Sequence, residues 1–288
     1  MNKTKIDWTD SSWNPVTGCL HDCSYCYARG IARRFAGFEP RYGGEVIPEG
    51  EGTCPGSIRN TTHGKTLHVF DRQPKRRLLA RGYPNGKFVA TNYPYNFEPT
   101  LHRHKMNEFK KKSDRTIFVC SMADLFGEWV PDEWISEVFE ACAAAPQHRY
   151  LFLTKNPARY AELYNKGLLP LEDNFWYGQT ITGEHNNPYI TPNHYSGKKV
   201  NTFVSCEPVL GDFDINFYLR YFGWIIIGRA TGIGKCEACR QEETIRTAIR
   251  HIRCSAETYE IPVFMKDNLI SIVGEENMLR QYPWEVSK

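Results

Sequence analysis

The sequence predicts an α/β fold in which parallel strands form a barrel or an open, partial barrel. Three observations predict it: short apolar runs recur from residue 87 onward, helix-like segments separate several of them, and polar residues follow nearly every run. Each run is compact enough for a strand that is buried on both faces, which is typical of parallel sheets. The predicted strands are residues 88–91, 116–119, 150–153, 175–177, 202–204, 224–227 and 263–265.

Helix-like segments complete the alternation. Residues 132–145 and 241–257 are predicted helices between strands, and residues 27–35 have the composition of a short helix. Alternation of strands with helices favours parallel pairing, because a parallel connection needs a crossover that is usually helical.

The remaining segments lie outside this alternation. Residues 1–18 are rich in aromatic and turn-forming residues, and we expect them to pack over the loop that follows. Residues 37–60 are rich in Gly, Pro and Glu, which is typical of a long exposed loop. The sequence has no internal repeat and no low-complexity linker, so we expect one domain over residues 1–288, with residues 37–86 as a loop-rich, basic insertion.

The composition bounds the class of protein. A hydrophobic share of 41% and a charged share of 24% are ordinary for a soluble globular chain. No apolar run approaches membrane-spanning length, and residues 1–5 lack the apolar core of a signal peptide. We therefore expect a cytoplasmic protein with no membrane contact, in which clustered cysteines bind a metal or a cluster more often than they form disulfides.

Three cysteines near the start of the chain carry the clearest chemical signal. Cys19, Cys23 and Cys26 stand within eight residues in a C-x3-C-x2-C array. A structural zinc site or a fully ligated four-iron cluster takes four protein ligands. Three thiolates can instead hold three corners of a cubane and leave its fourth iron open to a small molecule. The array therefore indicates a catalytic site more than a structural one.

This array, with an aromatic residue just before the third cysteine, resembles the cluster loop of radical S-adenosylmethionine (SAM) enzymes. Other stretches are similar to a phage-associated branch of that superfamily, and together they run over nearly the whole chain. The matching stretches are residues 6–19, 118–126, 152–157, 203–208 and 262–267.

The resemblance implies a barrel of the radical SAM type, a 4Fe-4S cluster on the three cysteines, and SAM bound at the open iron. Reductive cleavage of SAM would give methionine and a 5′-deoxyadenosyl radical that abstracts hydrogen from a substrate at the barrel mouth. A flavodoxin- or ferredoxin-type protein would donate the electron. The resemblance further implies that Tyr25 stacks on the adenine and that residues 91–98 receive the amino group of SAM. That segment lacks the Gly-Gly-Glu found in the superfamily and is closer to an Asp-Pro-Tyr type, so its contacts stay open.

The polar residues at the strand ends form the predicted site, because working residues of parallel α/β barrels lie just past the carboxyl ends of the strands. Lys155, Glu207 and Lys266 are the expected catalytic groups, since long charged side chains at a barrel mouth need partners or water. Plainer roles exist: an Asp can cap a helix, a Thr can form a turn, and a Lys can reach solvent. The expected cofactor contacts are Tyr25, Thr91, Asn92, Ser121, Asp124, Thr154, Thr180 and Thr182.

Other cysteines and histidines have weaker signals. Cys236 and Cys239 form a single C-x2-C pair, which with Cys54 and Cys254 could hold a second metal or remain as free thiols. His102 and His104 flank Arg103, and we expect a surface or phosphate-contact role for them. Three further cysteines are expected in the core, namely Cys120, Cys142 and Cys206.

The charge of the chain is unevenly distributed. Residues 59–115 carry fourteen Lys/Arg and four Asp/Glu, a surplus of +10, so the rest of the chain sums to −7 against the total of +3. Such a basic segment can neutralise phosphates, which makes a nucleic acid or nucleotide a candidate substrate. A solvated helix face accounts for the charges equally well.

Two other functions compete with a radical SAM enzyme. The first is a non-catalytic zinc- or iron–sulfur-binding module for nucleic acid, in which His21 or another residue completes the ligands of the three cysteines. The second is an iron–sulfur protein that binds nucleotide to sense the redox state. A zinc knuckle does not need a whole α/β barrel beside its three-thiolate loop, and this favours the enzyme.

Overall fold

The fold is taken from a computed structural model. It describes residues 2–36, 39–47, 66–80, 83–183, 194–195, 197–211, 219–230 and 242–286. The strands are β1 (Asn2–Lys3), β2 (Ser11–Trp13), β3 (Val16–Thr17), β4 (Arg41–Tyr42), β5 (Glu45–Val46), β6 (His68–Phe70), β7 (Lys75–Ala80), β8 (Tyr83–Ala90), β9 (Thr100–His102), β10 (Thr116–Val119), β11 (Arg149–Thr154), β12 (Phe175–Ile181), β13 (His194–Tyr195), β14 (Lys198–Lys199), β15 (Asn201–Cys206), β16 (Ile225–Ile227) and β17 (Val263–Met265). The α-helices are α1 (Tyr27–Phe35), α2 (Asp132–Ala143), α3 (Ala158–Asn165), α4 (Glu242–Thr258), α5 (Ile270–Val273) and α6 (Pro283–Val286), and short 3-10 turns lie at Arg103–Lys105, Asp267–Leu269 and Glu275–Asn277.

The largest sheet has the strand order β1-β2-β10-β11-β12-β15-β16-β17. Only β1 is antiparallel, and the other seven strands run parallel and curl into a half-barrel. The predicted α/β class with a parallel, partial barrel is confirmed. Six of the seven predicted runs lie in this sheet, where burial on both faces requires continuous apolar sequence, as in the fully buried Ile225–Ile227.

The first strand of the parallel sheet was predicted wrongly. The run at residues 88–91 ends β8, which pairs antiparallel with β7 in a separate small sheet. The missing strand is β2, which pairs parallel with β10 and comes from the segment expected to be turn-rich. The loop with the three cysteines therefore follows the first strand of the parallel sheet, with only the two-residue strand β3 between them.

The two faces of the parallel sheet have different partners. One face packs on α2 and α3 through residues such as Phe152 and Tyr177, and on α4 through residues such as Ile225. The opposite face carries an aromatic cluster that includes Trp176, Phe203 and Trp224. Among the described helices, none combines the length and the apolar character needed to cross a membrane.

Residues 37–86, expected as a loop-rich insertion, contribute strands to two small sheets in their described part. The strands β3, β9 and β6 form one sheet in that order, and β5, β4, β7 and β8 form the other. Residues 48–65 lie outside the described residues. The first small sheet includes β3, which leads into the cysteine loop, so the insertion is built onto the site.

Gly178 gives a direct test of the packing between neighbouring strands. A Cβ atom at this position in β12 would overlap the ring of Phe203, its partner on β15. We expect Gly178→Ala to lower the free energy of unfolding by about 1–3 kcal/mol, the usual cost of overpacking. Urea denaturation measures this difference.

The matched control is Gly30→Ala in the middle of α1, where an added Cβ meets no atom within 4 Å. This change should raise the free energy of unfolding by about 0.5–1 kcal/mol, because alanine restricts the unfolded chain more than glycine does. Equal effects of the two substitutions would contradict the strand pairing given above.

Candidate functional site

The cysteine loop lies at the carboxyl edge of the parallel sheet. Gly18, directly before Cys19, forms a parallel bridge with Ala123, just past the end of β10, and its N–H donates to the Met122 carbonyl at 2.9 Å. Gly18 has φ +87°, and a Cβ atom there would overlap the Glu98 carbonyl. Only glycine allows the chain to pass so close to this segment, so the start of the loop is fixed by backbone contacts.

The loop is a compact turn that ends in a helix. The Cys26 N–H donates to the Cys23 carbonyl at 3.2 Å, and the Cys26 Sγ accepts from the Arg29 N–H at 3.4 Å as the N-cap of α1. All three cysteines are partly exposed. A group that enters from solvent can therefore reach the thiols.

A hydrogen-bonded pair ties this loop to the sheet. His21 lies between the first two cysteines, and its Nε2 is 2.7 Å from the Asp124 Oδ2. The imidazole ring also packs edge-on against Trp129, with ring centroids 4.8 Å apart. Asp124 follows β10, so the contact joins two segments that are 103 residues apart in the chain.

The Asp124 carboxylate is buried, with 5% of the residue exposed, and is surrounded by donors. Its Oδ2 also accepts from the Lys155 N–H at 2.9 Å, and its Oδ1 accepts from the Thr154 hydroxyl at 2.7 Å and the Phe126 N–H at 3.0 Å. A carboxylate offers about four acceptor positions, so these donors fill it. Burial alone would raise the pKa of Asp124, but the hydrogen bonds and the charge of His21 outweigh it and lower that pKa.

The environment of Cys19 favours the neutral thiol. Burial, the Asp124 charge and the other two cysteines together raise the pKa of Cys19 to about 12. A cationic iron–sulfur core would reverse this preference, because a bound metal centre stabilises the thiolate. As placed, no three His, Cys, Asp or Glu side chains of the described residues converge tightly enough to ligate one metal ion. Cys19, Cys23 and Cys26 share one accessible loop and are the residues that could hold a metal or a cluster there.

Two tyrosines of the loop reach across the mouth of the half-barrel. Tyr25 packs against Leu210 and Ala230, which follow β15 and β16, and the Lys155 Nζ is 5.5 Å from its ring centroid. Tyr27 donates its hydroxyl to the Ser121 carbonyl at 2.9 Å. Burial of that hydroxyl and the nearby Glu207 charge raise its pKa, although the residue as a whole is 46% exposed.

Glu207 and Lys266 form an ion pair inside the mouth. The Lys266 Nζ is 2.6 Å from the Glu207 Oε1, and the Ser205 hydroxyl donates to the Oε2 at 3.0 Å. Burial would lower the pKa of Lys266, but the Glu207 carboxylate outweighs it and raises that pKa. Gly228 leaves room for the pair, because a Cβ atom there would approach the Glu207 Oε1 to 2.6 Å.

The structure brings most of the predicted site residues to one edge. Lys155, Glu207 and Lys266 surround the mouth, and Ser121, Asp124 and Thr154 line the junction with the cysteine loop. Thr180 and Thr182 stand at the end of β12, where Thr180 pairs with Ser205 and the Thr182 carbonyl accepts from the Leu210 N–H at 2.9 Å. The carboxyl edge is therefore polar, as the strand-end rule predicts.

Thr91 and Asn92 do not follow a strand of the parallel sheet, so the reason for predicting them as cofactor contacts is wrong. The Thr91 hydroxyl donates to the Phe35 carbonyl at 2.9 Å, and the Asn92 Oδ1 accepts from the Lys105 Nζ at 2.8 Å. Burial lowers the pKa of Lys105 to about 8. In the chain as folded, the first strand of the parallel sheet after α1 is β10, and the segment that follows it is 120–124.

His102 also differs from the prediction. It is fully buried and lies 2.9 Å from the Thr17 hydroxyl, so it is not a surface or phosphate-contact residue. Cys120, Cys142 and Cys206 are buried as expected, whereas Cys254 is exposed on α4. Cys54, Cys236 and Cys239, and with them the candidate second metal, lie outside the described residues.

Two residues of the site were not predicted from the sequence. His21 holds the cysteine loop through Asp124, and Tyr27 donates its hydroxyl to the Ser121 carbonyl. The signal for His21 was its place between two cysteines, which was considered only for zinc. Tyr27 directly follows Cys26 and is the first residue of α1. Side chains of a helix lean toward its N-terminus, so the side chain of Tyr27 lies near the cysteine loop.

Fold and site together define an α/β protein with a parallel half-barrel, a three-cysteine loop after its first strand, and a charged pair in its mouth. The chain belongs to the family described as Protein of unknown function (DUF5131), which matches residues 3–269. No curated protein and no solved structure matches it.

Asp124→Asn should destabilise the fold by about 3 kcal/mol near neutral pH, because the change removes the charge that His21 and the backbone donors surround. The folded-state pKa of Asp124 is lowered, so its stabilising contribution is present above the ordinary carboxyl pKa of about 3.9 and is lost as pH falls through the folded value. The difference between the two proteins should therefore shrink below about pH 4. Urea denaturation at a series of pH values measures it.

Asp114→Asn is the matched control, since the same change then falls on an exposed carboxylate. It should alter the free energy of unfolding by less than about 0.5 kcal/mol at every pH. A difference for Asp124→Asn that stays constant down to acid pH would show that its charge is not what stabilises the site.

Proposed function

We propose that this protein is a radical SAM enzyme. Its cysteine loop, with Cys19, Cys23 and Cys26, would hold three irons of a 4Fe-4S cluster and leave the fourth for SAM. The observation that carries the proposal is the position of this loop: it follows the first parallel strand and lies at the carboxyl edge, beside a polar mouth. Active sites of parallel α/β barrels lie at that edge.

The cluster and SAM would supply the reaction, in which an electron cleaves the SAM sulfonium to methionine and a 5′-deoxyadenosyl radical that takes hydrogen from a substrate. The protein supplies position and shelter from water. A one-electron donor of the flavodoxin or ferredoxin class would reduce the cluster. The proposal keeps to the reaction class, and the surface that would bind a substrate is argued separately below.

The chain's own residues have distinct tasks in this proposal. Asp124 and His21 hold the cysteine loop against the sheet, so the thiols keep a fixed position relative to the mouth. Tyr25 spans the mouth and provides a flat ring at the place where the adenine would stack. Glu207 and Lys266 offer a paired carboxylate and ammonium to the polar groups of the bound molecules.

Anaerobic reconstitution tests the reaction class. The wild-type protein should take up about four irons per chain and become brown, and with SAM and a reductant it should form 5′-deoxyadenosine. Cys23→Ala should lose most of the iron and all of the 5′-deoxyadenosine, because two thiolates cannot hold the cluster with an open iron. Iron analysis, absorbance and chromatography measure these outcomes.

Cys254→Ala is the control, since it removes an exposed thiol that lies far from the loop on α4. It should keep both the iron and the 5′-deoxyadenosine of the wild type. A colourless protein that binds zinc through the three cysteines would instead support a non-catalytic zinc module.

Glu207→Gln should reduce 5′-deoxyadenosine formation roughly tenfold or more, equivalent to a loss of about 1.4 kcal/mol, while iron content stays unchanged. The reason is that Lys266 would lose its ion-pair partner in the mouth, whereas the hydrogen bond to the Cys26 thiol comes from the Arg29 N–H and not from this pair. Glu140→Gln, on the exposed side of α2, should leave both quantities unchanged. A parallel loss of iron and activity in Glu207→Gln would contradict the assigned role.

A further inference from the structure

The small antiparallel sheet of the insertion has one face on which cations and apolar side chains alternate. Its four strands β5, β4, β7 and β8 carry five Lys/Arg and one Glu. Paired residues of an antiparallel sheet share a face, as do residues two apart on one strand. The pairings therefore put Val46, Arg41, Lys75, Arg77 and Phe88 on the same face.

The opposite face is turned toward the body of the protein. Arg76, which alternates with its neighbours on β7, donates to the Ala36 carbonyl at 3.3 Å and lies over the Phe35 ring at 5.8 Å. Both partners are at the carboxyl end of α1. The face with Arg41 and Lys75 is therefore the one directed away from α1.

The outward face offers charge, flat groups and exposed apolar surface together. The Arg41 guanidinium lies 4.4 Å from the centroid of the Phe88 ring, and Val46 beside it is 56% exposed. Lys75 is exposed and has no ion-pair partner among the described residues, while Arg77 is 3.2 Å from Glu39. Guanidinium planes and aromatic rings stack on unpaired bases, and free cations neutralise phosphates.

We propose that this face binds a single-stranded nucleic acid. A duplex would present phosphates but keep its bases stacked inside, which would leave the interleaved apolar groups without a partner. The α1 helix links the sheet to the cysteine loop over nine residues, about 13 Å of helix, so a strand that continues beyond the sheet can reach the proposed reaction centre. The inference concerns substrate class and so deepens the proposed function, but the surface itself is built without the cluster.

Two other groups of basic residues in the described part of segment 59–115 do not form such a surface. Arg103 pairs with Glu137 at 2.8 Å, and Lys105 is buried with 6% of its surface exposed. The lysine run 110–112 is exposed, but the adjacent aromatic residue, Phe109, is fully buried. The run therefore offers charge without a stacking group.

The test uses fluorescence anisotropy with the purified full-length protein, without cluster or SAM. The probe is a labelled single-stranded DNA of mixed sequence about 20 nucleotides long, which exceeds the ~4–16 nucleotides that one such site covers, and an RNA of the same sequence is a second probe. The wild type should bind at least one probe, with affinity that falls steeply between about 50 and 200 mM salt. Absence of binding to both probes at low salt would overturn the proposal.

Variants assign the binding to the sheet. Arg41→Gln with Lys75→Gln should weaken binding about tenfold or more and reduce the salt slope by about 2, one for each lost phosphate contact. Lys75→Gln alone changes an exposed side chain and should give about half of that slope change, which keeps the test valid if the double variant is unstable. Lys111→Gln is the matched control and should bind like the wild type within about twofold. Equal weakening by Lys111→Gln would overturn the assignment to the sheet.

Competitors separate a strand-binding face from a general polyanion surface. Unlabelled single-stranded DNA should displace the probe, whereas duplex DNA and polyglutamate of equal charge should displace it at least about tenfold less well. Equal displacement by polyglutamate would show a surface for acidic protein and overturn the proposal. Because these measurements need no iron, their failure leaves the proposed reaction class intact, and a protein without iron would leave the nucleic-acid inference intact.

Discussion

The buried carboxylate of Asp124 is the constraint on which the rest of the site depends. It accepts hydrogen bonds from the cysteine loop through His21, from its own turn through Phe126, and from the end of β11 through Thr154 and Lys155. A buried charge is tolerated only when such donors surround it, and removal of one partner typically costs several kcal/mol. The loop, the end of β10 and the end of β11 are therefore held in one arrangement.

This arrangement decides what the loop faces. With its first residues fixed to 120–124, the loop turns into α1 so that Tyr25 and Tyr27 extend over the mouth, toward Leu210 and Glu207. The Glu207–Lys266 pair comes from the ends of the far strands β15 and β17, so these strands add a charged pair to the same carboxyl edge. The segment 93–97, which follows β8, also packs against Cys19 and Cys26.

Much of the fold could be predicted from the sequence, because a strand buried on both faces must be apolar throughout. Six of the predicted strands were placed correctly for that reason, and the helix after the cysteines was placed correctly from its composition. Apolar sequence does not name a strand's partner, however, so the run at 88–91 was assigned to the parallel sheet although it pairs with β7. The true first strand, Ser11–Trp13, is three residues long with two serines, and no periodicity distinguishes such a segment from a turn.

The strand-end rule likewise predicted which side chains surround the mouth but not what each contacts. The His21–Asp124 contact joins residues 103 apart, and nothing in the local sequence of either specifies it. His102 and Lys105 belong to a basic stretch of sequence, yet both are buried, because β9 pairs with β3 and the turn after it contacts Trp13 and Asn14. Charge patterns along a chain do not reveal which cations a fold encloses.

Low-temperature EPR of the reduced, reconstituted protein tests the central claim most directly. If the three cysteines leave one iron open for SAM, the spectrum of the reduced cluster should change shape when SAM is added. The spectrum should stay the same when adenosine, which lacks the methionine part of SAM, is added instead. An iron–sulfur signal that SAM leaves unchanged, or a protein that holds no iron, would contradict the claim.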